Sequence, residues 1–528
     1  MKERKVNKRI LYSICFFLFM VIDWTRGSQV GSTWAWTVNL TGVVMAVIII
    51  STFDIKAFFK RTYLLYSIVC LIALVVAYYW WNLNQAVIYR NKLLTAIVNI
   101  WLLGLPAIKY FSENKKQKIG ALKACFEDHK VWLELLVYSL LMVMFISVNE
   151  DVWPLWFLII FIEFYHCDFS SVDKQDLLQG IWNGIIASFF VLQGLAFVFR
   201  PYDDPQYRYS GFYANCNMNA LFYCVVWLAF LMKLFYVRTE NRPRWQEWIL
   251  YLFTAAVPGF VVFTMCKTAF LAMALIGAFY LIGADFVFLK KKAKEMVCKI
   301  LLWGVLVCAC IPIDYALVRY LPPVFHHPIW YEGEYSQERV HSFDAWDSEK
   351  YVSFSEMINE VTGRIAPFIQ VLFDDNLSDV QAAEAKENEF KEFTFDMENQ
   401  ETIQFTSAVS RIYMWEYYFR NGTLLGHSNV DGHEIGLPVY VWHTQNVYIQ
   451  FWYYYGIIAA CLLAVVNVGA LWYSVKLCKK RSTEGLGALL SILLFNIFGM
   501  LEAVWYPGQM ILLLLFVMPL FIIRRDAC

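Results

Sequence analysis

The chain has 528 residues, 59% of them hydrophobic, and a mean hydropathy of +0.47. That apolar share excludes an ordinary soluble domain, where it is roughly 45–50%. The 44 basic and 44 acidic residues cancel, so net charge singles out no partner class, and no nucleic-acid partner is expected.

From the N-terminus, Met1 to Arg9 is basic and the apolar stretch from Ile10 lacks a small-residue cleavage site, so it reads as a first span rather than a cleaved signal. Apolar runs follow at about 10–23, 34–53, 62–81, 91–107, 131–148, 153–166, 177–198, 214–237, 247–265, 268–289, 297–319, 446–475, 484–503 and 508–523. Runs of about 20 residues cross a hydrocarbon core of roughly 30 Å. The short run 153–166 also suits part of a re-entrant hairpin, so the expected fold is an all-α polytopic membrane protein with 12–14 transmembrane helices. It divides into N-terminal helices (1–176), a transmembrane core (177–319), a large loop (320–445) and C-terminal helices (446–528).

Orientation follows from basic loops. Lys2 to Arg9, Lys115 to Lys118, Lys290 to Lys294, Lys479 to Arg481 and Arg524-Arg525 share one side, which the rule makes cytoplasmic. The opposite short loops hold only Arg26, Arg90, Arg200, Arg208 and Lys267. Both termini are therefore expected inside and residues 320–445 outside. The large loop is acidic, above all from Glu384 to Glu401, yet carries Trp330, Trp346, Phe368, Phe373 and Trp415. Disordered chains are poor in aromatics, so short helices at the membrane mouth are expected, with Asp379–Glu401 least ordered. Val409 to Arg420 has a helical apolar pattern ending at Asn421-Gly422. Thirteen cysteines lie in or near the apolar runs and none between Leu321 and Gln445, so the loop is no disulfide scaffold. No Cys-x-x-Cys or His/Cys cluster suggests a metal, and no cofactor is expected.

Three constellations carry chemistry. Arg200, Arg208 and Lys267 are cations at span ends on the expected outer face. Such groups bind a phosphate or diphosphate headgroup, arginine with a two-pronged fork; the alternative is side chains that simply reach for water. Arg411, in Ser410-Arg411-Ile412-Tyr413-Met414-Trp415 and followed by Gly422, Gly426, His427, Ser428 and Asn429, gives a helix face of cation and aromatics that suits a sugar phosphate, or a salt bridge to a loop carboxylate. His443 lies where the loop re-enters the membrane before Asn446 and Gly456. It suits proton exchange near neutral pH, or a hydrogen bond to backbone, and His427 and His433 compete with it. Glu502, beside Trp505-Tyr506-Pro507-Gly508, lies near an outer span end, as a carboxylate that would take the proton if no histidine does, or only as a solvated helix end.

Together these stretches resemble the O-antigen ligase and polymerase family of bacterial membrane glycosyltransferases. Arg208-x-x-Gly211-Phe212-x-x-Asn215-x-Asn217-x-x-Ala220 is close to one of its motifs, and Phe263-Thr264-Met265-Cys266-Lys267-Thr268-Ala269 is similar to its hairpin motif. Ser410-Arg411-x-x-x-Trp415, Gly426 and His443-x-x-Asn446-x-x-x-Gln450 with Gly456 complete the match, over roughly residues 177–475. Three departures stand out: Lys267 replaces the usual arginine, Thr264 and Cys266 replace two serines, and Gln445 stands before Asn446 where the family usually has histidine. The resemblance implies a polyprenyl-diphosphate-linked glycan donor, a glycan or lipid acceptor, and no metal. Arg208, Lys267, Arg411, Arg200, Asn217 and Asn446 would bind substrate, and His443 would orient or deprotonate the attacking sugar hydroxyl. A polysaccharide flippase, a transporter of lipid-linked glycan without transfer chemistry, is the rival; it would call for charged or broken helices near the bilayer midplane. A catalytically dead scaffold, argued from the missing histidine at 445, is the third reading.

Overall fold

A backbone that crosses lipid must satisfy its own N–H and C=O groups, which leaves helices and closed barrels as the available spanning structures. The computed structural model describes residues 7–27, 43–45, 47–51, 59–83, 132–149, 151, 153–166, 171–202, 208–213, 216–240, 242–325, 351–373, 408–430, 444–502 and 512–526, with short pieces between 97 and 108. Among these residues the regular structure is helical and no strand occurs. The chain is an all-α, multi-pass membrane protein.

In chain order the helices are α1 Lys8–Gly27, α2 Arg61–Leu83, α3 Trp132–Phe145, α4 Trp153–His166, α5 Ser171–Phe199, α6 Cys216–Thr239, α7 Arg244–Thr264, α8 Lys267–Tyr280 and α9 Ala293–Val324. They continue with α10 Phe354–Phe373, α11 Ala408–Arg420, α12 Val447–Gln450, α13 Ile457–Lys479, α14 Thr483–Gly499 and α15 Met518–Asp526. Wider π-type turns extend three of them: Leu281–Phe288 after α8, Phe451–Tyr455 after α12 and Leu512–Val517 before α15. Seven helical stretches among the described residues are long and apolar enough to cross a membrane, and four shorter apolar ones accompany them. The expected runs at 34–53 and 91–107 lie largely outside the described residues, as does Asp379–Glu401.

α6 is the centre of the bundle. Its most apolar window is 89% buried inside the protein, against 6% for α9, which presents its apolar surface outward. α5, α7, α8 and α14 all pack on α6. α1 packs along α5, where Gly180 lies so close that an added Cβ would come 2.4 Å from the Tyr12 Cβ. Without a hydrophobic drive between helices in lipid, such close backbone approach and van der Waals packing hold them together.

One predicted span is divided. The apolar run 446–475 was expected as one continuous crossing, but the chain breaks at Gly456, with φ of 95°. The spanning helix is α13, and residues 446–455 form a separate element made of α12 and its π-type extension. An added Cβ on Gly456 would meet the Leu424 carbonyl oxygen at 2.3 Å, and one on Gly426, with φ of 83°, would meet the Tyr454 carbonyl oxygen at 2.0 Å. The two glycines let the segment after α11 lie directly on the break.

Candidate functional site

The α7–α8 hairpin begins the site. α7 ends at Thr264; Met265 takes a left-handed conformation with φ of 50°, Cys266 precedes the next helix, and α8 starts at Lys267. The last carbonyls of a helix have no partner within it. Arg208 uses one of them, donating from Nε to the Thr264 oxygen at 3.0 Å. Beside it, the Tyr209 N–H donates to the Phe263 carbonyl at 2.8 Å. The second and first motif segments therefore run side by side. Arg208 Nη2 then donates to Asn217 Oδ1 at 2.5 Å, on the first turn of α6. Asn217 passes the network on, donating from Nδ2 to Glu502 Oε1 at 2.9 Å.

Glu502 belongs to the turn that follows α14, and this turn is where the third motif arrives. Arg411 on α11 donates from Nη1 to the Leu501 carbonyl at 2.8 Å. Asn446 donates from Nδ2 to the Met500 carbonyl at 2.9 Å, while its Oδ1 caps α12 by accepting from the Tyr448 and Ile449 N–H groups at 2.9 and 3.1 Å. Trp415 ties α11 to the same place, donating to the Thr444 carbonyl at 2.7 Å. Residues 500–502 thus gather Arg208 through Asn217, Arg411 and Asn446, from three stretches far apart in sequence.

The electrostatics of the cluster are uneven. Arg208 and Arg411 both act on the one carboxylate of Glu502, yet neither closes to ion-pair contact with it. Burial raises the Glu502 carboxyl above the ordinary range, against the opposing pull of Arg411, then Arg208, and the Asn217 hydrogen bond. Burial, with help from the Glu502 charge, pushes the neighbouring Cys266 thiol up to about 12. A thiol that stays protonated is no nucleophile, so the cluster suits holding an anion rather than covalent catalysis by cysteine.

The remaining predicted residues divide. Lys267 opens α8 next to Cys266; its side chain is exposed and bonds to nothing among the described residues. Arg200 is buried at 4% exposure and braces the loop behind the site, donating to the Gly211 carbonyl and to Ser210 Oγ, the latter at 3.2 Å. His443 lies outside the described residues; Thr444, which follows it, is buried and donates to the Asn446 carbonyl at 2.7 Å. Gln445 has a left-handed φ of 51°.

His427 and the two glycines form a clamp instead. The His427 ring stacks on Tyr453 with centroids 3.9 Å apart and planes 8° apart, and its Nδ1 bonds the Tyr453 carbonyl at 2.9 Å. The Val148 N–H donates to the Leu425 carbonyl at 3.0 Å, and Asn149 to the Tyr454 carbonyl at 3.1 Å. Asp151 Oδ2 accepts from Tyr455 at 3.0 Å and Trp153 at 3.2 Å. Glu502, weighed from the sequence only as a substitute proton acceptor or a solvated helix end, stands at the turn where the three stretches meet. Its only signal was a carboxylate at the end of an apolar run, which is also what a solvated end looks like. Among the described residues, no group of three His, Cys, Asp or Glu side chains could hold a metal ion. No protein-family model and no curated protein matches the chain.

Proposed function

We propose that this membrane protein is a glycosyltransferase of surface polysaccharide assembly, taking a glycan from a polyprenyl diphosphate carrier and passing it to a sugar or lipid acceptor. One observation carries the reading: two guanidiniums, Arg208 and Arg411, meet around one carboxylate at the turn where all three motif stretches arrive. A diphosphate headgroup at a helix-bundle end would find fork-shaped donors there. Fixed cations stabilise the charge that develops on a departing diphosphate without reorganising at the moment of reaction. Lys267 would contribute a third positive charge from the exposed start of α8. Asn217 and Asn446 keep the arginine-bearing segments in register, and Arg200 supports the loop that carries Arg208. His443, three residues before Asn446, orients the attacking hydroxyl, and attack opposite the leaving group inverts the anomeric centre.

This reading places the site on the outer face of a bacterial cell membrane, with both termini cytoplasmic and residues 320–445 outside. Cysteines substituted for Ser348 and Ser378 are expected to react with a membrane-impermeant thiol reagent in intact cells; reaction only after lysis would reverse the orientation. The transfer itself is tested by following polymer or ligated product in cells carrying single substitutions. His443→Ala is expected to reduce product by about 10²–10⁴-fold, the usual contribution of a group that handles the proton. His427→Ala is expected to cost less, because that ring is committed to Tyr453. Full product from His443→Ala would remove the histidine from the reaction. Full product from Arg208→Ala would remove the diphosphate reading altogether.

A further inference from the structure

Asp314, in α9, is a buried carboxyl that the candidate site does not use. It is 4% exposed, its Oδ2 has no hydrogen-bond partner, and no cation pairs with it among the described residues. It presses on α7 at Gly259, where an added Cβ would come 2.3 Å from Oδ2. A carboxylate charge buried without a partner is costly, and an ionisable side chain inside a membrane helix marks a functional site by default. The contact is built to move. Pro258 precedes Gly259 in α7, and Pro312 lies two residues before Asp314 in α9; each proline removes a hydrogen bond from its own helix. Trp227 takes the Thr254 carbonyl that Pro258 leaves free, at 2.9 Å. On α5, which also packs on α9, the buried Gln193 amide has no acceptor for its Nε2, while its Oε1 accepts from Tyr223 at 2.8 Å. Tyr223 from α6, itself beside Tyr209 and Tyr213, is within electrostatic range of Asp314, as is Cys310 one turn earlier on α9. Arg319, further along α9, lies over the Tyr320 and Tyr351 rings. Within α7 and α5 the nearest titratable side chains are Tyr251, eight residues before Gly259, and Asp176, seventeen before Gln193.

We propose that Asp314 is a proton-binding site inside the membrane that sets the position of the α7–α8 hairpin. With the proton bound, the neutral acid packs against Gly259 and α9 closes on α7. When the proton leaves, the carboxylate turns from the Gly259 backbone toward the waiting Gln193 amide, and α7 is released at Pro258. No bond other than O–H forms or breaks; the proton goes to solvent and returns from it. A polar column leads toward the end of the bundle that holds the candidate site: Tyr223 meets Asn219, and Asn219 donates to the Tyr209 carbonyl at 3.4 Å, beside Arg208. Gly259 lies five residues before Thr264, whose carbonyl holds Arg208, so movement there reaches the candidate site. Proton binding at Asp314 does not depend on the chemistry proposed for that site.

The test uses the full-length protein in detergent micelles. Hydrogen exchange over residues 255–266, followed by mass spectrometry from acid to alkaline pH, is compared between wild type and Asp314→Asn, which stays neutral throughout. The intrinsic pH dependence of exchange is common to both and cancels. The two are expected to coincide in acid. The wild type is expected to exchange faster as pH rises, the gap growing by at most about tenfold per pH unit, as one proton requires. Gln193→Leu removes the waiting donor, so its gap is expected to open only at higher pH. Dicyclohexylcarbodiimide, an apolar reagent that attaches to protonated carboxyls, is expected to modify wild-type Asp314 in acid and progressively less as pH rises; this arm carries the test if Asp314→Asn does not fold. Equal exchange in wild type and Asp314→Asn at every pH would overturn the proposal, as would an Asp314 that the carbodiimide never modifies. Protection from the carbodiimide by sodium, but not by choline at the same ionic strength, would overturn the proton in favour of a metal cation. A gap that Gln193→Leu leaves unmoved would overturn the turn toward α5.

Discussion

The two ends of the bundle both bring arginine and carboxylate together, with opposite results. Asn217 and Arg238 mark the ends of α6, 21 residues apart in sequence, or about 32 Å at the rise of an α-helix. At the Arg238 end four charges close against one another. Arg238 bonds Glu247 at 2.8 Å and Asp285 at 3.5 Å, Lys299 bonds Asp285 as well, and the Arg238 guanidinium lies 4.8 Å from the centre of the Tyr251 ring. Two cations balance two anions, with the Asp285 side chain fully buried. At the Arg208 end the bonds of Arg208 go to neutral acceptors, a carbonyl and an amide, and two guanidiniums face one carboxylate without touching it. The first arrangement fixes four elements, α6, α7, α9 and the π-type turn after α8. The second joins its elements through hydrogen bonds to backbone carbonyls and one amide.

The largest effect should come from breaking the closed end. Asp285→Asn leaves Arg238 and Lys299 buried without one of their anions, and a buried pair that loses one member costs about 3–5 kcal/mol. The purified variant is expected to unfold at markedly lower temperature and to accumulate poorly in membranes. Unchanged thermal stability would show that these charges reach water and that the network is no brace. Arg208→Ala and Arg411→Ala probe the open end and should behave in the opposite way. Product formation is expected to fall by about 10²–10³-fold, the scale for losing one preorganised charge-stabilising group, with protein abundance near normal. Lys267→Ala should cost less and Lys267→Arg should be tolerated, since arginine keeps the charge and adds a fork. If Arg208→Ala instead unfolds the protein while Asp285→Asn does not, the roles assigned to the two ends are reversed.

How much of this the sequence showed follows from what each feature depends on. The spans were legible because about 20 apolar residues are needed to cross lipid, and α5 to α9 fall where the hydropathy runs put them. The α11 helix was legible for a different reason: its apolar spacing runs into Asn421-Gly422, and the helix ends at Arg420. The pairing of Arg208 with the Thr264 hairpin joins residues 56 apart, both in stretches already singled out. Glu502 was not legible because its meaning comes from Asn217, 285 positions away. The division at Gly456 was hidden too, since one glycine inside an apolar run does not announce a break; the neighbouring carbonyl of Leu424 is what requires it. Gly426 and His427 were grouped with the sugar-binding face, and the clamp that they form with Tyr453 and Tyr454 depends on that same break.

The clamp lends itself to a smaller test. Gly456→Ala adds a Cβ 2.3 Å from a backbone oxygen and forces a side chain into a left-handed backbone region. Neither is easily relieved, so a loss of about 1–3 kcal/mol is expected, read as a lower unfolding temperature. The same loss in Gly426→Ala would confirm that the two glycines serve one contact, and a double variant should then cost less than the sum. Additive losses would mean two independent strains.

Asp151 supplies the smallest effect and a third case for the comparison, a carboxylate surrounded by neutral donors. It accepts from Tyr455 and Trp153, and no cation pairs with it among the described residues. Burial raises its carboxyl above the ordinary value despite those hydrogen bonds. A group whose folded value is raised contributes stability that is fully present below the unfolded value and is lost as pH rises through the folded one. Asparagine at this position mimics the neutral acid at every pH and keeps an oxygen to accept from Tyr455. Asp151→Asn is therefore expected to match the wild type in acid below the ordinary aspartate range and to become slightly the more stable of the two as pH rises above it. Unfolding temperatures of both proteins across that range measure the gap. A variant that is instead less stable at neutral pH, with the gap closing toward acid, would mean that the charged acceptor gains more from Tyr455 and Trp153 than burial takes away. Asp151 would then resemble the ion-paired carboxylates of the Arg238 end rather than Glu502.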